Sequence, residues 1–490
     1  MNQPDIFTGP KRNWFPTGNR ELVFGLLTLA LGLFGANMVA FGGFALGFAL
    51  AAVLSTTLTW IWLRLCGHKA DVYTRILLLL SAIIAAGFAW SSDAFVKAVL
   101  LLFLLCGTNL SFCLMASQNR RPSGYAGSLL DAGRSLFMLG IGKSDYALRG
   151  IGNAFRTGSE ATRRGGAVLT GLAMAIPALA LVIPLLISSD AAFEGLVDLL
   201  PDFDLWELSI TVFWGSLLGI WLYSRGTALV HAEPESPAAS SDRKGLSPLT
   251  MNTALGTVCA VYLAYLFSQL AYFVGGFSGI LPEGFTAAEY ARRGFFEMAA
   301  LVVINLCVII FGAAKVSRPN AGTRGLCLFL GLVSEFLVAS GAAKMVLYID
   351  LYGLTRLRVL TMVIMVFLAV TTAAVCVWLY QPKLQYMKLV LITALTLGAA
   401  VLWLDVDTQV AKYNVEHYLS GDLAQVDMDH LLTLGPGAVP YIEELTDCAD
   451  PTVSLQAEMG LRRYNLYAPA DFRGMTAKTQ QALEILEQYP

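Results

Sequence analysis

The sequence predicts an all-α fold: a polytopic transmembrane helix bundle of about 11 spans with a small helical C-terminal soluble domain. Four observations carry that expectation. Only 14% of the 490 residues are charged while 56% are hydrophobic, against about 25% charged in a soluble globular protein. The apolar residues fall in long runs, and a membrane-spanning helix needs about 20 of them in succession. The alternating segments of about 10 residues that mark a β-barrel are absent. Positive charge, finally, alternates from one inter-run segment to the next.

Taken in order, the apolar runs fall near 22–38, 41–63, 75–91, 95–116, 165–188, 208–224, 250–275, 296–314, 325–348, 357–380 and 386–404. Gly42 and Gly43 separate the first two so narrowly that a tight helical hairpin is expected. The first run follows Lys11, Arg12 and Arg20, and no small-residue cleavage site comes after it, so it reads as a retained span.

With the N-terminus in the cytoplasm, 22 of the 33 Lys and Arg fall in inner segments. Five fall in outer loops (Lys97, Arg292, Arg293, Arg356, Arg358), Lys344 lies within a span, and five lie in the tail. Cytoplasmic loops carry such an excess, and a miscounted span would break the alternation. The rule places the tail outside, and the two outer Arg pairs are the exception to the trend.

The expected organisation is a four-span group (1–116), a cytoplasmic amphipathic interfacial segment (117–164), a two-span group (165–224), a flexible cytoplasmic linker (225–249), a five-span group (250–404) and an acidic helical tail (405–490). The interfacial segment mixes Arg134, Lys143 and Arg149 with Leu136, Phe137 and Leu148, the composition of a helix lying on an anionic leaflet. The linker contains EPESPAASSDRKG, and residues 189–207 hold six acids and no base. The tail carries 14 Asp and Glu against 5 Lys and Arg, and its LLTLGPGAVPYIEEL stretch opens a degenerate HEAT-like hairpin. A solenoid needs about three such units, so a small docking domain is expected.

Ionisable residues inside spans are functional candidates because burying them costs at least ~2.5–3.5 kcal/mol. Glu335 and Lys344 share the ninth run, nine residues apart and so on opposite helix faces. Lys344, four residues before Tyr348, reads as a snorkelling side chain. Glu289, Arg293 and Glu297 follow i,i+4 spacing, and with Arg292 they form a charged ladder where the eighth run begins, ahead of Asn305 within it. Arg forks bind phosphate bidentately, so this ladder, with Arg356 and Arg358 of YGLTRLRVL, is a candidate site for an anion or lipid headgroup. Tyr262, Tyr265, Gln269 and Tyr272 make one helix face suited to interhelical hydrogen bonds.

Enzyme signatures fail. GIGKS at 140–144 lacks the glycine a phosphate-binding loop needs at 137, where Phe137 stands. Four His occur without HExxH, although His430 lies beside Asp427 and Asp429; no GxSxG is present, and the eight Cys include no CxxC. No catalytic residue, cofactor or metal is assigned, and nucleic acid is not an expected partner.

Three stretches, AEYARRGFFEMAALVVINL, YGLTRLRVL and DVDTQVAKYNVEHYLSGDLAQVDMDHLLTLGPGAVPYIEEL, resemble a bacterial membrane family described as domain of unknown function 4173, with a related family numbered 4153. The resemblance spans roughly 250–445; the N-terminal half shares only its hydropathy. It implies a protein of the bacterial cytoplasmic membrane with a helix array and a polar C-terminal segment, and it brings no reaction or catalytic residue.

The favoured reading is a non-enzymatic interaction, signalling or scaffold protein of the envelope. Its acidic outer tail and outer Arg residues would engage an envelope protein or anionic lipid. The alternatives are a permease using Glu335 and the Tyr262/Tyr265/Gln269/Tyr272 face, and a membrane enzyme acting on a lipid-linked substrate near Glu289, Arg292 and Arg293.

Overall fold

The computed structural model describes residues 19–116, 205–231, 246–277, 295–316, 320–464 and 471–489, with isolated positions between them. Ten long helices account for ten of the eleven apolar runs. They are α1 (Asn19–Gly42), α2 (Leu46–Leu65), α3 (Val72–Gly87), α4 (Ala94–Met115), α5 (Leu205–His231), α6 (Pro248–Phe277), α7 (Phe295–Lys315), α8 (Ala321–Tyr352), α9 (Arg356–Tyr380) and α10 (Tyr386–Leu404). Among the described residues, seven of them (α1, α2, α4, α6, α8, α9, α10) are long and apolar enough to cross a membrane, and α3 and most of α7 form shorter apolar helices. The run at 165–188, the interfacial segment and most of the linker lie outside the described residues.

Helix starts are set by side chains that satisfy otherwise unpaired backbone N–H groups. Asp71 accepts from Thr74 N at 2.9 Å to begin α3, and Asp93 accepts from Phe95 and Val96 N to begin α4. Asn320 does the same for α8 through Thr323 N at 2.8 Å. Large apolar side chains remain on the outer surface, among them Phe95, Leu102, Phe267 and Leu332. In hydrocarbon such residues are at home, because only the backbone must be satisfied internally.

Polar contacts at both ends fix how α5 lies against α1. His231 at the end of α5 pairs with Glu21 at the start of α1, at 3.3 Å, while Asn37 near the end of α1 donates to Glu207 at the start of α5, at 2.8 Å. The two helices are therefore antiparallel. A Cβ on Gly32 would stand 2.4 Å from the backbone of Gly215 and Gly219, so only small residues permit this crossing. The α5 helix runs past the end expected near 224, and Ser224, Arg225 and Thr227 are buried within the bundle instead of opening a linker. Helix bonding continued because the residues after Arg225, Gly226–Val230, remain apolar or small.

After α10 the chain forms α11 (Val406–Leu419), α12 (Met428–Thr433), α13 (Val439–Glu444), α14 (Pro451–Arg462) and α15 (Ala477–Leu486), with short 3-10 turns at Pro436–Ala438, Leu445–Asp447 and Phe472–Gly474. These helices lie on the face that holds the end of α1 and the start of α4. Leu46 N donates to Met475 O at 3.2 Å, and Ala477 N donates to Ala89 O at 3.0 Å. One hydrophobic core runs without interruption from Leu77, Ile84 and Leu402 of the bundle into Val410, Leu431, Ile442 and Leu461 of the tail. A second core joins α6–α9 around Leu255, Ile309, Leu330, Leu337 and Val375.

Candidate functional site at the tail seam

The seam between bundle and tail is charged and buried. Asp405 forms the bend between α10 and α11, and among the described residues it alone has a positive φ without being glycine, at 52°. Such a conformation is uncommon outside glycine and tolerated best by Asn and Asp. Its carboxylate, fully buried, accepts from Ser91 Oγ at 2.7 Å and from Thr408 Oγ1 at 2.5 Å. Two residues on, Asp407 is equally buried and takes the guanidinium edge of Arg356, Nη2 to Oδ2 at 2.7 Å with Nε on Oδ1. Gly435 N donates to the same Oδ2 at 2.8 Å. A planar fork on a carboxylate gives both strength and direction.

Around this pair the packing leaves no slack. A Cβ on Gly437 would lie 2.2 Å from Thr408 Oγ1 and 2.4 Å from Asp405 Oδ2, so the Gly-Pro-Gly turn fits because its glycines carry no side chain. Asn414 reaches back to the loop before α9, donating to Leu354 O at 2.9 Å and accepting from Leu354 N at 2.6 Å. Tyr464 donates to Leu434 O at 2.7 Å; burial and then the Asp407 charge push its phenol up to about 12. Lys97, counted as an outer-loop residue, lies in the first turn of α4, 5% exposed, and donates to Phe44 O at 2.6 Å.

A second fastening holds the chain end. Arg473 binds Asp471 and Glu207, donates to Asn37 Oδ1 at 2.9 Å, and lies over the Phe41 ring. The Arg473 hydrogen bond holds the Asp471 carboxyl below its ordinary 3.8, against the desolvation that would raise it.

The expected residues divide. Arg356 belongs to the seam. Arg358 donates to Tyr352 O at 3.0 Å and to Gly353 O, closing the C-terminus of α8, with its charge over Tyr348; a cation there meets the negative end of the helix dipole. Of the two Arg pairs that broke the charge trend, this one is thus used within the protein. Asn305, 1% exposed, accepts from Tyr262 Oη at 2.9 Å and donates to Ser334 Oγ at 3.0 Å, tying α6, α7 and α8 together, and Tyr265 packs beside the same core. Glu335 lies half-buried beside Ala373 and Cys376 of α9, and its Oε1 is buried without a hydrogen-bond partner. Lys344 is half-buried on α8. Glu289, Arg292 and Arg293, and the side chains of Glu297, Gln269 and Tyr272, lie outside the described residues. Asp427 caps α12 through His430 N at 2.9 Å, and no group of three metal-ligating side chains occurs among the described residues.

Sequence reading missed Asp405, Asp407, Lys97 and Arg473. Two acids within three residues of the last apolar run were the available signal, since that position is the membrane boundary. Arg473 offered only the nearby Asp471, because its other partners are 266 and 436 residues away.

Fold and seam together define a multi-pass helical membrane protein with a polar tail fastened to one end of its bundle. The chain belongs to the family described as Domain of unknown function (DUF4153), whose model matches residues 22–445. That is the related family of the two named above, and the match takes in the N-terminal half as well as the three motifs. No curated protein and no solved structure matches the chain.

Proposed function

We propose that the protein is a non-enzymatic interaction or scaffold component of the bacterial cytoplasmic membrane, with its N-terminus inside and its tail held outside as a rigid docking body. The observation that carries this reading is where the family-like motifs go. YGLTRLRVL supplies Arg356, DVDTQVAKYN supplies Asp405, Asp407 and Asn414, and LGPGAVP supplies Gly435 and Gly437. Their polar groups bond to one another instead of lining an open site, which suits fixing a surface better than transforming a substrate. That surface is acidic: Glu416, Asp422, Asp427, Asp429, Glu444, Asp447 and Asp450 are exposed. Desolvation, and after it the carboxylates of Glu416 and Glu443, raise the Glu444 carboxyl, as crowded acids do. A cationic segment of an envelope protein fits such a face, and Arg356 and Arg358, engaged internally, are less suited to hold a lipid headgroup.

Deleting 405–490 tests this poorly, because the bundle shares its core with the tail. Cys448, half-exposed and outside any disulfide, offers a better handle. A membrane-impermeant maleimide should label it in intact spheroplasts, with Cys448→Ser as control; labelling only after permeabilisation would put the tail in the cytoplasm. A photo-crosslinker on Cys448 should then give a discrete adduct that disappears when Asp427, Asp429, Glu444 and Asp447 become amides. An adduct indifferent to those changes removes the acidic face from the mechanism.

A permease is the second reading, favoured by the unpartnered Oε1 of Glu335 within the bundle. Loss of a cation or proton flux in a folded Glu335→Gln protein would support it.

A further inference from the structure

A cavity of about 180 Å³ lies between α1, α2, α4 and α5. Its wall is apolar over most of its length, with Leu31, Phe48 and Leu104 among its lining, and along α4 it reaches from Leu101 to Phe112. Eleven residues at 1.5 Å each make that about 16 Å. At the Phe112 end stands Arg225, only 6% exposed. His231, six residues further along α5, pairs with Glu21 at the bundle face away from the tail. Arg225 is therefore about 9 Å along the helix from that face.

The guanidinium is placed but not satisfied. It lies over the rings of Phe112, at 5.2 Å, and Trp221, at 5.4 Å. Aromatic faces attract a cation but accept nothing from the N–H groups in its plane. Nε and Nη2 are both buried without a hydrogen-bond partner, and no ion pair to Arg225 occurs among the described residues. Those two nitrogens form one edge of the fork, the edge that grips a carboxylate or phosphate bidentately. Asn109, 2% exposed, lines the same end with its Oδ1 unbonded. Its Nδ2 donates to Leu105 O at 2.6 Å, which fixes the amide, so Oδ1 is left to accept from a protonated head oxygen.

A buried charge without a counter-charge is a strong liability inside a bundle, and the apolar cavity leading from it suits an anion that carries a hydrocarbon chain better than a simple ion. We propose that this cavity binds one anionic amphiphile, with its carboxylate or phosphate head on the Nε/Nη2 edge of Arg225 and its hydrocarbon chain running toward Leu104 and Phe48. Free fatty acids and phosphate-headed membrane lipids share that chemistry.

The test uses delipidated full-length protein in detergent, titrated with oleate, dioleoyl phosphatidate, dioleoyl phosphatidylcholine or inorganic phosphate, with adducts counted by native mass spectrometry. One adduct should form with oleate, phosphatidate or both, and which of them binds names the source. Phosphatidylcholine and inorganic phosphate should bind on the order of tenfold more weakly, as should the anion to Arg225→Gln, since a charged hydrogen-bonded pair is worth that factor or more. Arg225→Lys should keep part of the affinity. Leu104→Trp, which fills the chain-binding half, should lose the adduct while leaving Arg225 intact; it decides the matter if Arg225→Gln does not insert. Without ligand, Arg225→Gln should melt no lower than the native chain. Equal binding of phosphatidylcholine, tight binding of phosphate alone, unaltered adducts in Arg225→Gln or Leu104→Trp, or a lowered melting point of ligand-free Arg225→Gln would each overturn the proposal.

Discussion

Arg356 and Arg225 present the same guanidinium edge in two parts of the molecule. At the tail seam, Nε and Nη2 of Arg356 hold the buried carboxylate of Asp407, which also accepts from Gly435 N. In the cavity, Nε and Nη2 of Arg225 face no acceptor. The first arginine is 40% exposed at its side chain and has a fully buried partner; the second is almost entirely buried and has none. Inside a protein, a charged group whose bonds are all made specifies geometry, whereas one whose bonds are open calls for something from outside. The difference separates a fastening from a binding site.

The comparison is broken most directly by removing the satisfied partner. Arg356→Ala strands Asp407 in the seam. Breaking a buried pair costs about 3–5 kcal/mol, and because Arg356 is partly exposed the lower end, about 3 kcal/mol, is expected. Limited proteolysis and faster Cys448 labelling should register the loosened tail. An unchanged proteolysis pattern would mean that the hydrophobic core alone holds the tail. Arg225→Gln is the mirror experiment, with no destabilisation expected.

A smaller effect should follow from Gly437→Ala, which drives a methyl into Thr408 Oγ1 and Asp405 Oδ2. Overpacking of this kind costs about 1–3 kcal/mol, read as a lower thermal midpoint. Tolerance without loss would show that the turn after Gly435 shifts freely, and the seam would then be less rigid than its hydrogen bonds suggest.

The smallest effect concerns the second fastening and depends on pH. The Asp471 carboxyl is held below its ordinary 3.8 by Arg473. A depressed acid contributes stability that is present above the unfolded value and is lost as pH falls through the folded one. The stretch that includes Arg473 should therefore loosen below pH 3.8. Asp471→Asn should flatten that acid limb of a melting-point profile, and an identical limb in the variant would assign the loss to other carboxylates.

Much of the bundle is legible in the sequence. Ten of the expected runs are helices, and the Gly42–Gly43 hairpin is where the spacing placed it, because hydropathy and glycine act locally. Arg225 was misassigned for a related reason. The apolar run was closed at the first charge, although small and apolar residues continue through Val230 and the helix continues with them. Asp427 shows the same limit from the other side: the spacing sets it beside His430, and only the structure gives its use, the cap of α12 through His430 N. A local pattern identifies which groups are available, not what they bond to.

By itself, then, the sequence determined the class of the molecule: a helical, multi-pass chain with an acidic helical tail, because backbone satisfaction in hydrocarbon and helix periodicity are properties of contiguous residues. Only the tertiary structure decided that Arg356 and Asp407, 51 residues apart, share a fork, that Arg473 reaches Asn37 across 436 residues, and that Arg225 faces an apolar cavity with its donors open. Those outcomes depend on which helices become neighbours, and the pairing of distant helices is set by packing across the whole chain.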